Sequence, residues 1–464
     1  MSVSTRNRAS VVGLGKLGAP FAVSLAARGH SVIGVDVNPE VRRSFAEGKA
    51  PVSEPGLSEL MPKAAARLQV TEDLRQAVRE TDFTFIVVAT PSTPEGGFSL
   101  KYVLSAARDI GDALREKKGH HVVVVTSTVL PGDTEHHILP ELERASGKRC
   151  GVEFSLCYNP EFIALGSVLR DLANPDFILI GESDPRGGDA LESFYASLCD
   201  NSPPVARMNW INAEVAKIAV NTFVTTKITF ANMLARICER LPGADVDIVT
   251  SALGLDARIG KKYLRGGLSY GGPCFPRDNV ALSHLALKVG SSAGLAQATD
   301  KFNREQVSGL ASRVLAWLGG RGSVGILGLT YKPETNVVEE SPGLALAEKL
   351  AEMRIDVTVY DPSGTAAAGA LLGDKVRFAG SAEQCVRNRS LVLITTPWKE
   401  FRRLKPEWFD VGTSRAVLVD CWRLLDPAAF ADRVEYVVLG LGPGGKYAGT
   451  VPRSPGAPPS ADAR

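Results

Sequence analysis

Residues 9–36 read ASVVGLGKLGAPFAVSLAARGHSVIGVD, and few folds accept such a segment. An apolar run leads into Gly13, Gly15 and Gly18 in G-x-G-x-x-G spacing. A helix-length stretch and a second apolar run closed by Asp36 follow. The order predicts strand, glycine turn, helix and parallel strand. Each glycine has its own duty. Gly13 permits the tight turn, Gly15 lets a pyrophosphate reach the backbone, and Gly18 lets the helix approach the strand. Asp36 stands where a carboxylate accepts both ribose hydroxyls of NAD and repels the 2′-phosphate of NADP. NAD is therefore the expected cofactor.

Further apolar runs, FTFIVVAT (83–90), HVVVVTST (121–128) and FILIG (177–181), extend the pattern of a parallel sheet covered on both faces. Thr90, Pro91, Ser92 and Thr128 follow two of these strands, on the side where ligands of open α/β sheets bind. From Asn212 to about Arg240 the chain turns long, helical and free of Gly and Pro. After a second helical block the strand pattern returns in SVGILGLTY, DVTVYDP, SLVLITTPW, RAVLVDCW and VVLGLG. The expected fold class is α/β, with two Rossmann-like doubly wound parallel-sheet domains joined by a central helical dimerisation region. The expected boundaries are 1–208, 209–318 and 319–447, with a disordered Pro/Ser/Ala-rich tail at 448–464.

Composition narrows the partners. Fifty-three basic and 51 acidic residues nearly cancel, so no overall field favours nucleic acid or an anionic membrane. A small-molecule substrate is expected. Seven cysteines without a C-x-x-C pair argue against a disulfide framework and a zinc ribbon. The reading is a cytoplasmic protein without a bound metal, a signal peptide or a membrane span.

GGLSYGGPCFPRDN (266–279) gathers four glycines, two prolines, Cys274, Arg277 and Asp278. A thiol in such a loop is either structurally idle or a nucleophile toward an aldehyde, and Asp278, four residues on, is within reach of the same cavity. Lys217 and Asn221, spaced i, i+4 in AEVAKIAVNTF, share one helix face. Lys217 is either a buried ammonium with a chemical task or a lysine snorkelling to the surface.

In their order along the chain, GLGKLG, VATPS, TSTVLPGDT, NPEF, AEVAKIAVNTF, RIGKKYLRGGLSYGGPCFPRD and GLTYKPETNVVEESP resemble the UDP-glucose/GDP-mannose dehydrogenase family over roughly residues 9–445. That resemblance implies a two-step, four-electron oxidation of a sugar C6 hydroxyl to a carboxylate with two NAD, and a third domain that binds the nucleotide-sugar. It implies Cys274 as the nucleophile forming a thiohemiacetal and then a thioester, and Lys217 and Asn221 as oxyanion stabilisers. Asp278 handles protons through a water held by Thr128, and Glu161 assists thioester hydrolysis. It further implies cofactor contacts from Lys16, Leu17 and Arg277 beside Gly13, Gly15, Gly18, Asp36, Thr90, Pro91, Ser92 and Thr128. Substrate contacts are implied for Glu161, Phe162, Lys217, Asn221, Tyr263, Tyr270, Gly271, Phe275 and Lys332, and for Arg258 from the neighbouring subunit of a homodimer.

The chain departs from the family pattern at Leu165, where a second glutamate is usual, and at Arg277, where lysine is usual. Asn336, Val337 and Glu339 replace an acidic pair and an arginine, and Trp422 takes an arginine position, with Arg423 one residue later. UDP-glucose is the leading substrate expectation. A two-electron hydroxyacid-type dehydrogenase and a catalytically silent nucleotide-sugar-binding protein stand as alternatives.

Overall fold

The computed structural model describes residues 7–319, 322–411 and 414–445. The tail expected to be disordered, 448–464, lies outside them. The chain divides into two compact units. One runs to Val220 and includes His284–Ser291; the other comprises Asn221–Ser283 and the chain from Ser292 onward.

The first unit is built on an eight-stranded sheet. Its strands are β1 (Arg8–Val12), β2 (Ser31–Val35), β3 (Leu68–Thr71), β4 (Phe83–Ile86), β5 (His121–Val125), β6 (Phe154–Tyr158), β7 (Ile178–Glu182) and β8 (Val205–Met208), in the order β3-β2-β1-β4-β5-β6-β7-β8. The strand order reverses at β1, so the turn after β1 opens at the switch point where such sheets bind ligands. Central strands are apolar on both faces because helices cover both: every residue of HVVVV in β5 is buried. Helix Gly18–Ala27 is buried all round through Ala26, as its sequence GAPFAVSLAA requires.

One pair departs from the all-parallel expectation: β6 and β7 run antiparallel. An antiparallel neighbour needs no crossover, so the connection 159–177 is free to run as a loop before its short helix Val168–Ala173 packs Val168 and Leu172 into the core. That connection carries Asn159, Glu161 and Phe162.

The second unit takes the long helix Trp210–Cys238 from Asn221 onward, helix Gly294–Leu318 and a second sheet. The strands of that sheet are β9 (Ser323–Leu327), β10 (Asp356–Tyr360), β11 (Arg377–Phe378), β12 (Leu391–Ile394), β13 (Asp410–Val411), β14 (Ser414–Asp420) and β15 (Val434–Val438). The order is β11-β10-β9-β12-β14-β13, with β15 also paired to β14, and all pairs are parallel except β13 with β14. Its core is formed by Val324, Ile326, Val357, Val359, Leu391, Leu393, Val417 and Val419 from the four central strands.

Candidate active site

The turn after β1 bears out the steric reading of its glycines. Gly13 has φ +93° and its N–H bonds to Val35 O at 2.8 Å. A Cβ on Gly18 would overlap Gly13 O, whereas the Cβ position of Gly15 faces open space. The backbone at Gly15 is thus bare where a pyrophosphate must approach. Asp36 is held by two backbone donors, Leu14 N to Oδ2 at 2.7 Å and Asn38 N to Oδ1 at 2.8 Å. Each oxygen keeps acceptor capacity for a ribose hydroxyl. Lys16 is exposed, Leu17 half-buried, Thr90 buried, and Pro91 and Ser92 exposed in the loop after β4.

The second sheet repeats the backbone of this turn with a different outcome. Gly328 N bonds to Tyr360 O at 2.8 Å, and Leu329 N to Asp361 Oδ2 at 2.7 Å. A Cβ on Gly343 would overlap Gly328 O, as one on Gly18 would overlap Gly13 O. Asp361, however, is buried and also accepts from Thr330 N, Thr330 Oγ1, Trp398 Nε1, Ser363 N and Gly364 N. With so many donors its carboxylate has no room for a ribose. The residues at the first turn fit NAD; those at the second do not.

Asp36 leads to an expected result. Catalytic efficiency with NAD exceeds that with NADP by at least about tenfold, or roughly 1.4 kcal/mol. Initial rates with both cofactors check this, and equal efficiencies would overturn the assignment of Asp36.

Further along the first unit, Glu161 and Lys217 come together. Lys217 is buried, its Nζ donates to Glu161 O at 2.6 Å, and it lies 4.5 Å from the centroid of the Phe162 ring. A snorkelling lysine is therefore excluded. Burial pushes the Glu161 carboxyl above the usual range, against the pull of the Tyr195 hydroxyl and the Lys217 ammonium. Tyr195 lies 2.8 Å from Glu161 Oε1 and 2.5 Å from Asn159 Oδ1, its hydroxyl aimed at both. The loop beyond is pinned by Glu54, which accepts from Gly166 N at 2.8 Å and Val168 N at 2.7 Å. Leu165 packs against the apolar core, so Glu161 is the acidic side chain of the stretch 160–168. Thr128 is half-buried just beyond β5.

In the second unit the thiol loop leads into helix Phe275–Lys288. Cys274 is exposed, and its carbonyl accepts from Asp278 N at 2.9 Å. Its thiol stands at the positive end of that helix, a position that favours an anion. Asp278 is 1% exposed and accepts from Asn221 Nδ2 at 2.6 Å, with Arg277 Nε 3.6 Å from Oδ1. Phe275 packs edge-on against Tyr270 and Tyr263, with centroids 6.1 and 6.3 Å away. Tyr263 has φ +64°.

Three buried asparagines, absent from the sequence expectations, hold this loop. Asn232 bonds Leu268 O at 3.0 Å and Gly267 N at 2.9 Å. Asn303 bonds both the N–H and the carbonyl of Tyr270 at 2.9 Å. Asn279 reaches Phe275 O and Thr225 Oγ1, each at 2.9 Å. A side-chain amide offers a donor and an acceptor together, so each of the first two substitutes for a strand partner. Asparagines in a helical sequence carry no local mark of such a role.

Gly271 and Gly272 also have a structural explanation. A Cβ on Gly271 would overlap Glu340 O, and one on Gly272 would come within 2.6 Å of the Tyr331 ring. Gly272 N donates to Glu339 O at 3.0 Å. The two glycines beside the thiol thus admit the segment 331–342. Lys332, in that segment, is buried and lies 5.9 Å from the Tyr331 ring centroid. Trp422 donates to Thr395 O at 2.8 Å, and Arg423 pairs with Asp245 at 2.6 Å in a nearly fully buried bridge. Arg258 is exposed and bonded within its own turn to Asp256.

The first sheet and its turn define the class: an NAD-binding α/β protein. The chain matches three domain models of the UDP-glucose/GDP-mannose dehydrogenase family: the NAD binding domain over residues 7–199, the central domain over 211–305 and the UDP binding domain over 325–427. It is 36% identical over 417 residues to UDP-glucose 6-dehydrogenase AglM of Haloferax volcanii, covering 88% of this chain and 95% of that protein. To GDP-mannose 6-dehydrogenase of Pseudomonas syringae pv. tomato it is 37% identical over 360 residues, covering 76% and 80%. The solved UDP-glucose dehydrogenase of Pyrobaculum islandicum superposes with a TM-score of 0.83 at 36% identity, over 95% of this chain and 98% of that one. The chain belongs to the UDP-glucose/GDP-mannose dehydrogenase family. Among the described residues no helix is long and apolar enough to cross a membrane, and no cluster of His, Cys, Asp and Glu is arranged to hold a metal ion.

Proposed function

We propose that this chain is an NAD-dependent nucleotide-sugar 6-dehydrogenase that oxidises UDP-glucose to UDP-glucuronate through a thioester on Cys274. The observation that carries the reading is the exposed Cys274 thiol at the head of the helix bearing Asp278, itself bonded to Asn221. The UDP-glucose 6-dehydrogenase of Haloferax volcanii aligns with more of this chain than the GDP-mannose enzyme does, 88% against 76%. That, together with the match to a UDP binding domain, favours UDP-glucose.

In net terms, one CH2OH group, one water and two NAD give one carboxylate, two NADH and three protons. The turn Gly13–Gly18 and Asp36 would hold NAD, which supplies the hydride acceptor. The Lys217 ammonium and the remaining Asn221 amide hydrogen stabilise negative charge on the C6 oxygen, and Asp278 handles its proton through a water held by Thr128. The Cys274 thiolate adds to the aldehyde carbon, which keeps the half-oxidised sugar from leaving. After the second oxidation the carbon is an acyl thioester. Water then bonds to that carbon, its proton goes to Glu161, and the C–S bond breaks with its electrons on sulfur. Lys332, Phe162, Tyr263, Tyr270 and Phe275 are assigned to the nucleotide-sugar.

Counting NADH per sugar tests the reading. Two supports it, one favours a two-electron dehydrogenase, and none favours a silent binding protein. A thermal-shift panel of nucleotide-sugars tests the base and sugar, since a ligand at 100 Kd adds about 2.7 kcal/mol.

We assign the active unit as a homodimer in which Arg258 completes the neighbouring site. Phe223, Phe230, Met233 and Ile237 on helix Trp210–Cys238 are all exposed, spaced as one stripe, and the Arg258 side chain is 89% exposed. Arg258→Ala and Cys274→Ala enzymes are each expected to be inactive. Mixed after subunit exchange, they recover about a quarter of the wild-type rate, because half the dimers are hybrids with one intact site. No recovery, or an active monomer in sedimentation, would overturn the shared site. All seven cysteines are thiols, the state a reducing cytoplasm maintains, and we assign the enzyme there.

A further inference from the structure

The Tyr195 hydroxyl has one proton and two acceptors. It lies 2.5 Å from Asn159 Oδ1 and 2.8 Å from Glu161 Oε1. The Asn159 amide cannot be turned around to help, because its Nδ2 already donates to Leu179 O at 2.8 Å. Only one of the two short contacts is therefore a hydrogen bond donated by the hydroxyl at any moment. Which one depends on the charge of Glu161. An ionised carboxylate is the stronger acceptor and draws the proton; a neutral carboxyl releases it to Asn159.

Tyr195 is 3% exposed and Asn159 2%, so a hydroxyl left without an acceptor would carry the full penalty of a buried polar group. A carboxyl that must take a proton and give it back needs surroundings that satisfy both forms. Here two acceptors around one hydroxyl supply that. We propose that Tyr195 is a positioning residue whose hydroxyl switches between Glu161 and Asn159, so that Glu161 is held in either protonation state as it takes and returns the proton of the water that hydrolyses the Cys274 thioester. The switch rests on the proposed thioester reading for its use, not for its existence. In the step itself the water oxygen bonds to the acyl carbon, one water proton passes to Glu161, and the C–S bond breaks with its electron pair on sulfur. The Tyr195 hydroxyl rotates toward Asn159 with no net transfer of its own proton. Loss of the Glu161 proton to solvent returns the hydroxyl to the carboxylate.

The other groups facing this carboxyl are the Lys217 ammonium, which draws it down, and the Cys199 thiol. Burial, then Glu161 itself, pushes Cys199 up to about 11, so it stays neutral while Glu161 titrates. The signs of the two tests are opposite. Tyr195→Phe removes the donor to the carboxylate and raises the Glu161 midpoint by about one pH unit. Asn159→Leu removes the acceptor that serves the neutral state and lowers it.

The experiment is an infrared pH titration of ligand-free enzyme, following the protonated-carboxyl band that Glu161→Gln abolishes, with thermal melting as the check on folding. Opposite displacements in the two variants are expected. The acid limb of kcat should move with them while KM for UDP-glucose is unchanged. Displacement in the same direction, or none, overturns the switch. Should Asn159→Leu fail to fold, Tyr195→Phe alone decides: an unmoved midpoint sinks the proposal. Opposite displacements in an enzyme that forms no thioester would leave the switch standing and remove only its assigned use.

Discussion

Cys274→Ser enzyme is expected to make no UDP-glucuronate at a measurable fraction of the wild-type rate, a loss of at least about a thousandfold, or roughly 4 kcal/mol. Serine keeps the size and polarity of the side chain, so the loop held by Asn232, Asn303 and Asn279 remains in place. What is lost is the ionisable sulfur at the positive end of helix Phe275–Lys288. On the proposed mechanism the first oxidation relies on Lys217, Asn221 and Asp278, and is expected to survive in part. The second stalls, either with aldehyde released or with an ester that water cleaves slowly. Intact-mass spectrometry with an aldehyde trap reads both outcomes. Carboxylate formed at the wild-type rate would make the thiol a structural residue and end the thioester reading.

Lys217→Met should lower kcat by about a hundred- to a thousandfold, roughly 2.7–4 kcal/mol, the usual loss when one oxyanion donor is removed. Methionine retains the aliphatic stem against Phe162, so the effect is confined to the charge and to the bond with Glu161 O. Leaving that carbonyl without its donor costs about 1–3 kcal/mol of stability in addition. The two effects are separable: kcat reports the oxyanion role, thermal melting the structural one. A melting point that falls while kcat holds would reduce Lys217 to a clamp on the 159–177 connection.

Much of this was legible in the sequence where chemistry is local. The spacing of Gly13, Gly15 and Gly18 announces its own turn, because the overlaps that forbid a Cβ at Gly13 and Gly18 arise within one strand–turn–helix unit and its neighbouring strand. The apolar runs that became β1, β4, β5, β9 and β12 were equally readable, since a strand buried on both faces has no polar side to alternate. The antiparallel pairing of β6 and β7 was not, because strand direction is set by the connection and leaves the apolar run unchanged.

The candidates for the chemistry were also named from the chain, but their surroundings were not. Cys274, Asp278, Asn221, Lys217 and Glu161 were all candidates by residue type and motif. Tyr195, Asn159, Asn232, Asn303 and Glu54 were not, and each acts through a partner far away along the chain. The loop glycines illustrate the difference. The resemblance implies a substrate contact for Gly271 and is silent on Gly272; in the structure the two admit Glu340 and Tyr331.

The sharpest division lies between Asp36 and Asp361. Both close the second strand of a glycine-turn unit, and both accept from the residue that follows the first glycine. Their local sequences place them alike. Their surroundings separate them: Asp36 keeps acceptor capacity at a half-buried edge, while the local turn donors Ser363 and Gly364 and the distant Thr330 and Trp398 together saturate Asp361. Backbone sterics act between near neighbours and so are written along the chain. Whether a carboxylate has lone pairs left for a ligand depends also on donors brought from distant segments, here Thr330 and Trp398, and that share is decided only when the chain has folded.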